Sequence, residues 1–337
     1  MKLFDVYPLY EVCPVRAKDV YVYDESGTEY LDLYGGHAVI SVGHSHPHYV
    51  KQLEKQLNKI AFYSNAVLNP LQQKLAEEIG EQSCLHNYQL FLCSSGAEAN
   101  ENALKLASFH TGKKRIIAFK NSFHGRTSAA VAVTDNQKIN APLNQQQEVT
   151  FIHFNDLEGL ENELKEEDVC AVIFESIQGV GGLDMPDDEF VIGMNTLCHK
   201  YNTCLIADEV QSGFSRSGKF FAFQHNNIQP HVITMAKGMG NGFPIGGILV
   251  HPDLKPKHGM LGTTFGGNHL ACTASLAVLE IIKKNKLQQH AETMDTYFRA
   301  KAEKISGAKI KGRGLMLGLE FNFEVGPLRK RLIYEKN

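Results

Sequence analysis

The chain has 337 residues, 43% of them hydrophobic and 21% charged, with a formal net charge of −3. That length predicts one large domain plus a smaller one, and the slightly acidic balance argues against a nucleic-acid partner, which a basic excess would mark. No run approaches the roughly 18 apolar residues of a membrane span, and the opening Met-Lys-Leu-Phe-Asp-Val-Tyr-Pro lacks the apolar stretch of a signal peptide.

Along the chain, alternation from Val20 to Leu33 around Asp-Glu-Ser-Gly predicts a hairpin. His44, His46 and His48 then stand at alternate positions. They would share one face only in a strand, which Gly43 and Pro47 oppose, so a metal site is the less favoured reading. His48 is expected to open a helix from Tyr49 to Ile60, and Pro70 to start another through Gly80. From Tyr88 onward strand and helix patterns alternate. Strands are expected at 88–93, 115–119, 169–174, 204–207, 232–235 and 245–250, with helices at 97–109, 190–201, 271–283 and 287–305. Short strands near 308–311 and 315–321 and a last helical stretch follow. His153 precedes a loop in this reading. The rhythm predicts an α/β fold with a large, mostly parallel sheet covered by helices. The expected division is residues 1–48 and 280–337 as the two parts of a small domain, and 49–279 as the large one. Seven scattered cysteines without a Cys-x-x-Cys pair read as buried small hydrophobes in a reducing compartment, so a cytoplasmic location is expected.

Several strand ends carry chemistry. The run Cys204-Leu-Ile-Ala-Asp-Glu-Val-Gln211 is a buried strand ending in two carboxylates. Ile233-Thr-Met-Ala-Lys-Gly delivers Lys237 into a glycine-dense segment. Ligands of open α/β sheets sit at the carboxyl ends of strands. A desolvated amine loses proton affinity and can form a Schiff base. An amine for an aldehyde and an anion for a ring nitrogen are what pyridoxal phosphate requires; the plain alternative for Lys237 alone is a surface lysine in a turn. Ser94-Ser-Gly-Ala-Glu-Ala-Asn joins a strand to a helix and offers Ser95, Gly96 and Ala97 as a phosphate cradle, the alternative being an ordinary N-cap. In Asn121-Ser-Phe-His-Gly-Arg126, Phe123 could stack on a ring and Arg126 could fork onto a carboxylate; the alternative is a core phenylalanine and a solvated arginine. Glu175 ends another strand beside glycines. Gly262-Thr-Thr-Phe-Gly-Gly-Asn-His269 places two hydroxyls before a helix.

Ser-Ser-Gly-Ala-Glu-Ala-Asn, Phe-His-Gly-Arg, Asp-Glu-Val-Gln, Ala-Lys-Gly and Gly-Thr-Thr-Phe-Gly-Gly-Asn occur here in the order and spacing of the class III pyridoxal-phosphate aminotransferases. The resemblance runs from about Tyr21 to Glu320 and is greatest to the acetylornithine (or succinylornithine) aminotransferases. It implies a fold-type I homodimer with shared active sites and pyridoxal 5'-phosphate as cofactor. Lys237 would bind the cofactor as an imine and shuttle the proton. Gly96 and Ala97 would bind its phosphate through backbone, with Ser95 and Val210 nearby and Thr264 adding a hydroxyl from the partner. Phe123 would stack on the ring, Asp208 would take the ring nitrogen and Gln211 the ring hydroxyl. Arg126, Thr263, Glu175 and His37 would face the substrate. The implied reaction moves the terminal amine of an N-acylornithine to 2-oxoglutarate, in arginine biosynthesis.

The chain departs from the family pattern at Ser176 and Val180, where relatives carry proline and glutamate. It departs also at His37 and Ile40, where relatives usually carry an apolar or tyrosine residue and an asparagine. One carboxylate fewer makes the pocket less negative and would favour a second carboxylate on the substrate, as in N-succinylornithine. The family's Arg-x-x-Pro-Pro segment has no counterpart up to Asn337. The alternatives are an ornithine δ-aminotransferase or another class III ω-aminotransferase, an aminomutase, a cofactor-binding relative without activity, and, from another class, a metal-dependent hydrolase built on His44, His46 and His48.

Overall fold

A computed structural model describes residues 1–334. Its centre is a seven-stranded sheet of β4 (Gln89–Cys93), β5 (Arg115–Phe119), β6 (Val149–Ile152), β7 (Val169–Glu175), β8 (Cys204–Asp208), β9 (Val232–Met235) and β10 (Gly246–Val250), in the order β4-β10-β9-β8-β7-β5-β6. All run parallel except β10, which pairs antiparallel with both β4 and β9. Every residue of β7, β8, β9 and β10 is buried. This is why their sequences read as continuous apolar runs and not as alternation: helices cover both faces.

The helices Gly96–Thr111, Asp188–Lys200 and His269–Lys284 lie on this sheet or its neighbours. The last of these buries 11 of its 16 residues and packs against both Pro47–Leu57 and Pro70–Ser83. Before the large sheet stand three short antiparallel strands, β1 (Pro14–Lys18), β2 (Tyr21–Asp24) and β3 (Glu29–Leu31). After it come the helix Leu287–Ala302, the hairpin β11 (Lys309–Arg313) and β12 (Met316–Glu320), and a helix Gly326–Tyr334. Among the described residues no helix is long and apolar enough to cross a membrane.

The expected elements are present with ends moved by a few residues, and further ones appear, among them β1, β6 and the helix Leu157–Leu164. β1 escapes periodicity because Arg16 and Lys18 sit on an exposed edge. β6 is only four residues long and follows a polar run, and the helix Leu157–Leu164 follows it. The first long helix begins at Pro47, not at His48. Proline occupies its first position, and His46 caps it by accepting from the His48 amide at 3.2 Å.

The three alternate histidines do not converge. His44 binds Asp32 at 2.8 Å, His46 makes the cap and His48 binds Glu280 at 2.6 Å. Each ring is committed to a different protein partner, and no group of potential metal ligands forms among the described residues. Among the described residues, His44, His46 and His48 therefore form no shared site for the metal-hydrolase alternative.

Candidate active site

The parallel strands direct their carboxyl ends toward one edge, and the chain leaves β7, β8 and β9 there as Glu175, Asp208 and Lys237. A cavity of about 240 Å³ opens between them. Gly96, Ala97, Phe123, Arg126, Glu175, Asp208, Val210, Gln211 and Lys237 line it, together with His124 and Gly125.

Lys237 begins a tight turn directly after β9 with φ of +43°, an unfavourable backbone for a side chain with a Cβ. Among the described residues its Nζ makes no hydrogen bond or ion pair. Burial lowers its proton affinity, opposed by the negative charges of Asp208 and Glu175 and assisted by the positive charge of Arg216.

Asp208 is only 5% exposed and is held from three sides. Its Oδ2 receives His124 Nδ1 at 2.7 Å and Asn100 Nδ2 at 2.8 Å, and its Oδ1 receives the Val210 amide at 3.0 Å. A buried carboxylate so clamped cannot swing to another partner. Among the described residues neither His124 Nε2 nor Asn100 Oδ1 has a hydrogen-bond partner, so this buried cluster is left incomplete at the site.

The second carboxylate of the pair does something else. Glu209 turns to the opposite side and accepts from the Ala222 amide at 2.9 Å, the Phe223 amide at 2.8 Å and Ser212 Oγ at 2.7 Å. Burial raises its carboxyl to about 7 despite those bonds. It secures the loop after β8 and does not line the cavity. Glu175 spans the two roles. It faces the cavity and accepts from the Phe123 amide at 2.9 Å and the Gly179 amide at 3.0 Å, with its carboxyl raised to about 7 chiefly by burial.

The turn before the Gly96–Thr111 helix explains the fourth wall. Ser95 Oγ accepts from the Glu98 amide at 3.2 Å as the N-cap, and Glu98 Oε2 accepts from the Ser94 amide, one residue before that cap, at 3.0 Å. Ser95 is thereby engaged and lies outside the lining, whereas the first-turn amides of Gly96 and Ala97 have no intrahelical acceptor and remain free for an anion. A Cβ on Gly96 would stand 2.7 Å from Val210 Cγ1, and one on Gly125, with φ of +144°, would stand 2.9 Å from the Ala97 Cβ. Only glycine lets the three loops close on one another. Arg126 is exposed, with its guanidinium 5.9 Å from the centre of the Phe123 ring.

Besides Ser95, three expected residues fall outside this chain's own cavity. Thr264 is exposed, and Thr263 Oγ1 accepts from the Gly266 amide at 3.1 Å. His37 is exposed and bonded to the Tyr34 hydroxyl. Sequence reasoning gave no role to Asn100 and His124, which hold Asp208. His124 stood inside a motif already singled out; Asn100 is visible only once the helix is folded beside β8.

A parallel sheet that brings a desolvated lysine and a clamped aspartate to one cavity with a free helix N-terminus defines a pyridoxal-phosphate enzyme. The donor set suits that cofactor: an amine without a partner, a fixed anion, free amides and an aromatic ring in one lining. The chain matches the aminotransferase class-III family over residues 5–333, and it belongs to that family. It is 42% identical to an acetylornithine aminotransferase of Archaeoglobus fulgidus, across 98% of this chain and 88% of the relative. It is 38% identical to that of Bacillus subtilis, across 97% and 86%. Among solved structures, the ornithine aminotransferase of Toxoplasma gondii superposes with a TM-score of 0.88 at 29% identity, across 93% of this chain and 78% of that one. The taurine:2-oxoglutarate aminotransferase of Bifidobacterium kashiwanohense, in complex with PLP and glutamate, superposes at 0.87 and 25%, across 95% and 80%. The protein is a pyridoxal-phosphate-dependent aminotransferase of fold-type I.

Proposed function

We propose that this enzyme transfers the terminal amine of an N-acylated ornithine to 2-oxoglutarate, giving the 5-semialdehyde and glutamate. The observation that carries the chemistry is the buried Lys237 amine, unpartnered, on the same cavity as the thrice-bonded Asp208. When bound, the cofactor supplies a ring that withdraws electrons from the substrate carbon. Lys237 would hold the cofactor through its Nζ and would carry the transferred proton at that atom. Asp208 would face the ring nitrogen, where a fixed anion would keep a proton in place. Phe123 would cover the ring face, Gln211 would meet the ring hydroxyl, and the Gly96 and Ala97 amides would hold the phosphate beside Val210. Arg126 engages the substrate carboxylate, with Glu175 nearby. The acyl group blocks the α-amine, so only the terminal amine reaches Lys237's position.

A homodimer is part of this proposal. The exposed Phe62 and Phe265 rings lie 5.6 Å apart, and the same stretch of chain exposes Tyr63 at 58% and Leu68 at 97%. Asn65 Nδ2 donates to the carbonyls of Thr263 at 3.3 Å and Gly266 at 3.0 Å, joining this apolar patch to the segment that carries Thr264. A second copy covering the patch would bring Thr264 and Thr263 to its neighbour's site. Light scattering at a mass of two chains supports this; a monomer active at every dilution contradicts it.

The substrate assignment is supported by the acetylornithine aminotransferase relatives and is tested by rates with N-acetylornithine, N-succinylornithine and free ornithine side by side. Both acylated substrates are expected to exceed ornithine in kcat/KM. Preference for free ornithine would instead make the enzyme an ornithine δ-aminotransferase. Val180 is 64% exposed and leaves that position uncharged. The succinylated substrate is expected to gain from this, and a preference for the acetylated one would remove Val180 from the account.

A further inference from the structure

The sheet stops short of the lysine: β9 ends at Met235, and Lys237 stands on backbone that a residue with a Cβ avoids. Its φ is +43°, and Asn241, at the far end of the same turn, has φ of +47°. Left-handed non-glycine residues are costly and persist where the surroundings enforce them, commonly at functional sites. Inside the turn, the Met239 amide donates to the Ala236 carbonyl at 2.9 Å and the Gly240 amide to the Lys237 carbonyl at 3.0 Å. Further bonds come from a distant part of the chain. Ser41 Oγ donates to the Gly238 carbonyl at 2.7 Å, across 197 positions of sequence. The buried Tyr49 donates its hydroxyl to the Gly240 carbonyl at 2.7 Å. Asn241 is only 6% exposed. Its Oδ1 accepts from the Ser41 amide at 2.8 Å and the Val42 amide at 3.1 Å, and its Nδ2 donates to the Gly43 carbonyl at 3.0 Å.

The segment 41–43 is itself moored on both sides. Before it, Arg216 Nη2 donates to the Ala38 carbonyl at 3.0 Å and the Ile40 carbonyl at 3.3 Å. After it, His44 and Asp19 exchange backbone bonds at 2.8 and 2.9 Å, and the His44 ring binds Asp32 at 2.8 Å. The contact with the turn is close, since a Cβ on Gly238 would stand 3.4 Å from the Ser41 Cβ. A fixed strap therefore lies behind the lysine turn and bonds it at Gly238 and Asn241. What this secures is the direction of one side chain. With φ returned to the usual negative range, the Cα–Cβ bond of Lys237 swings and carries Nζ with it. A misplacement on the order of 1 Å in a reacting group can cost about 10²-fold in rate.

We infer that Asn241 and Ser41 are positioning residues of the site: they lock the left-handed turn that begins at Lys237 and so aim Nζ into the cavity. They act through the lysine alone, since neither lines the cavity. Asn241 bonds three successive residues of the strap from the end of the turn, and Ser41 returns one bond to its middle, next to the lysine itself. Cutting either tie lets the turn relax toward ordinary backbone, and the amine then reaches its position in the cavity only part of the time.

The inference rests on Lys237 being the cofactor lysine; reduction of the wild-type holoenzyme and identification of the labelled peptide test that assignment separately. The proposal itself is tested in Asn241→Gly, which accepts the left-handed φ without steric cost and removes only the side-chain ties, and in Ser41→Ala. Two quantities are read per bound cofactor, so that a loss of folded or loaded protein does not enter. One is the yield of borohydride label on the Lys237 peptide. The other is the single-turnover rate constant for loss of the lysine-bound absorbance when the holoenzyme is mixed with amino donor alone. In Asn241→Gly the rate constant is expected to fall about 10- to 100-fold, with a lower label yield. In Ser41→Ala it is expected to fall about threefold or more, the lower range for one lost hydrogen bond, and Ser41→Thr, which keeps the hydroxyl, is expected to recover most of that loss. Parent rate constants and label yields in both variants, with only the melting midpoint or the amplitude reduced, overturn the proposal and leave the ties as packing. If circular dichroism shows Asn241→Gly unfolded, Ser41→Ala and Ser41→Thr decide alone: equal rate constants in the two overturn the proposal.

Discussion

The two ends of the central sheet treat titratable groups in opposite ways. At the carboxyl end, Lys237, Asp208 and Glu175 face a cavity, and the ammonium and carboxylate forms are pulled in different directions by burial and by each other. At the amino end, His231 stands before β9 with His199 at 4.7 Å and His251 at 6.4 Å between ring centres. There the rings are packing material. His231 Nδ1 accepts from the Leu205 amide at 3.0 Å, and burial first, then the neighbouring imidazoles, holds its pKa down to about 4. Both ends bury polar groups; among the described residues the carboxyl end leaves some without a partner beside a cavity large enough for a ligand. Unsatisfied valence next to space, more than residue type, marks the site.

The largest expected break in this contrast is Lys237→Ala, which should remove measurable turnover and the visible absorbance of bound cofactor; wild-type rates would refute the lysine's role. Asp208→Ala should lower kcat on the order of 10³-fold, the scale of a lost electrostatic stabiliser, as read in steady-state assays. It also strands the His124 and Asn100 donors, which should cost about 1–3 kcal/mol in denaturant unfolding.

A smaller effect is expected at the other end. The folded His231 pKa of about 4 lies below the ordinary imidazole value of 6.5, so between those values the unfolded chain binds more protons. Stability therefore falls as pH drops from 6.5 toward 4, by an amount on the order of 2 kcal/mol from this ring. Glu175 and Glu209, raised to about 7, act with the opposite sign, since the native state binds more protons between 4.5 and 7. The difference between wild type and His231→Asn isolates the imidazole, because asparagine keeps an acceptor for the Leu205 amide and does not titrate. The variant should lose less stability than wild type between pH 6.5 and 4 in urea melts, and an identical slope would contradict the assignment. The smallest effect is expected at the three alternate histidines. His46→Ala should cost about 1 kcal/mol as a lost helix cap, with no dependence of activity on added metal.

What could be read from the sequence divides along physical lines. β7, β8 and β9 are short apolar runs ending in Glu175, Asp208 and Lys237, and the rule that ligands gather at the carboxyl ends of strands was enough to bring those three together. Local patterns also gave Gly96, Ala97 and Phe123, because each sits on a turn directly after a strand. The helix Leu157–Leu164 carried legible signals, an Asp156 side chain accepting from the Gly159 amide at 2.8 Å and leucines at 157, 160 and 164, but its eight residues are short against the polar background. Asn100 and Arg216 were beyond local reading. Asn100 meets Asp208 across 108 positions of sequence, and Arg216 meets Ala38 across 178. Likewise the sequence leaves Ser95 open to phosphate binding or to an ordinary N-cap, and its oxygen accepts from the Glu98 amide at 3.2 Å in the folded chain.

The most direct measurement is reduction of the holoenzyme with borohydride followed by peptide mapping by mass spectrometry. The account predicts a single phosphopyridoxyl group on the peptide containing Lys237, lost when the enzyme is first turned over with the amino donor alone. A label on any other lysine, or none on Lys237, would contradict it.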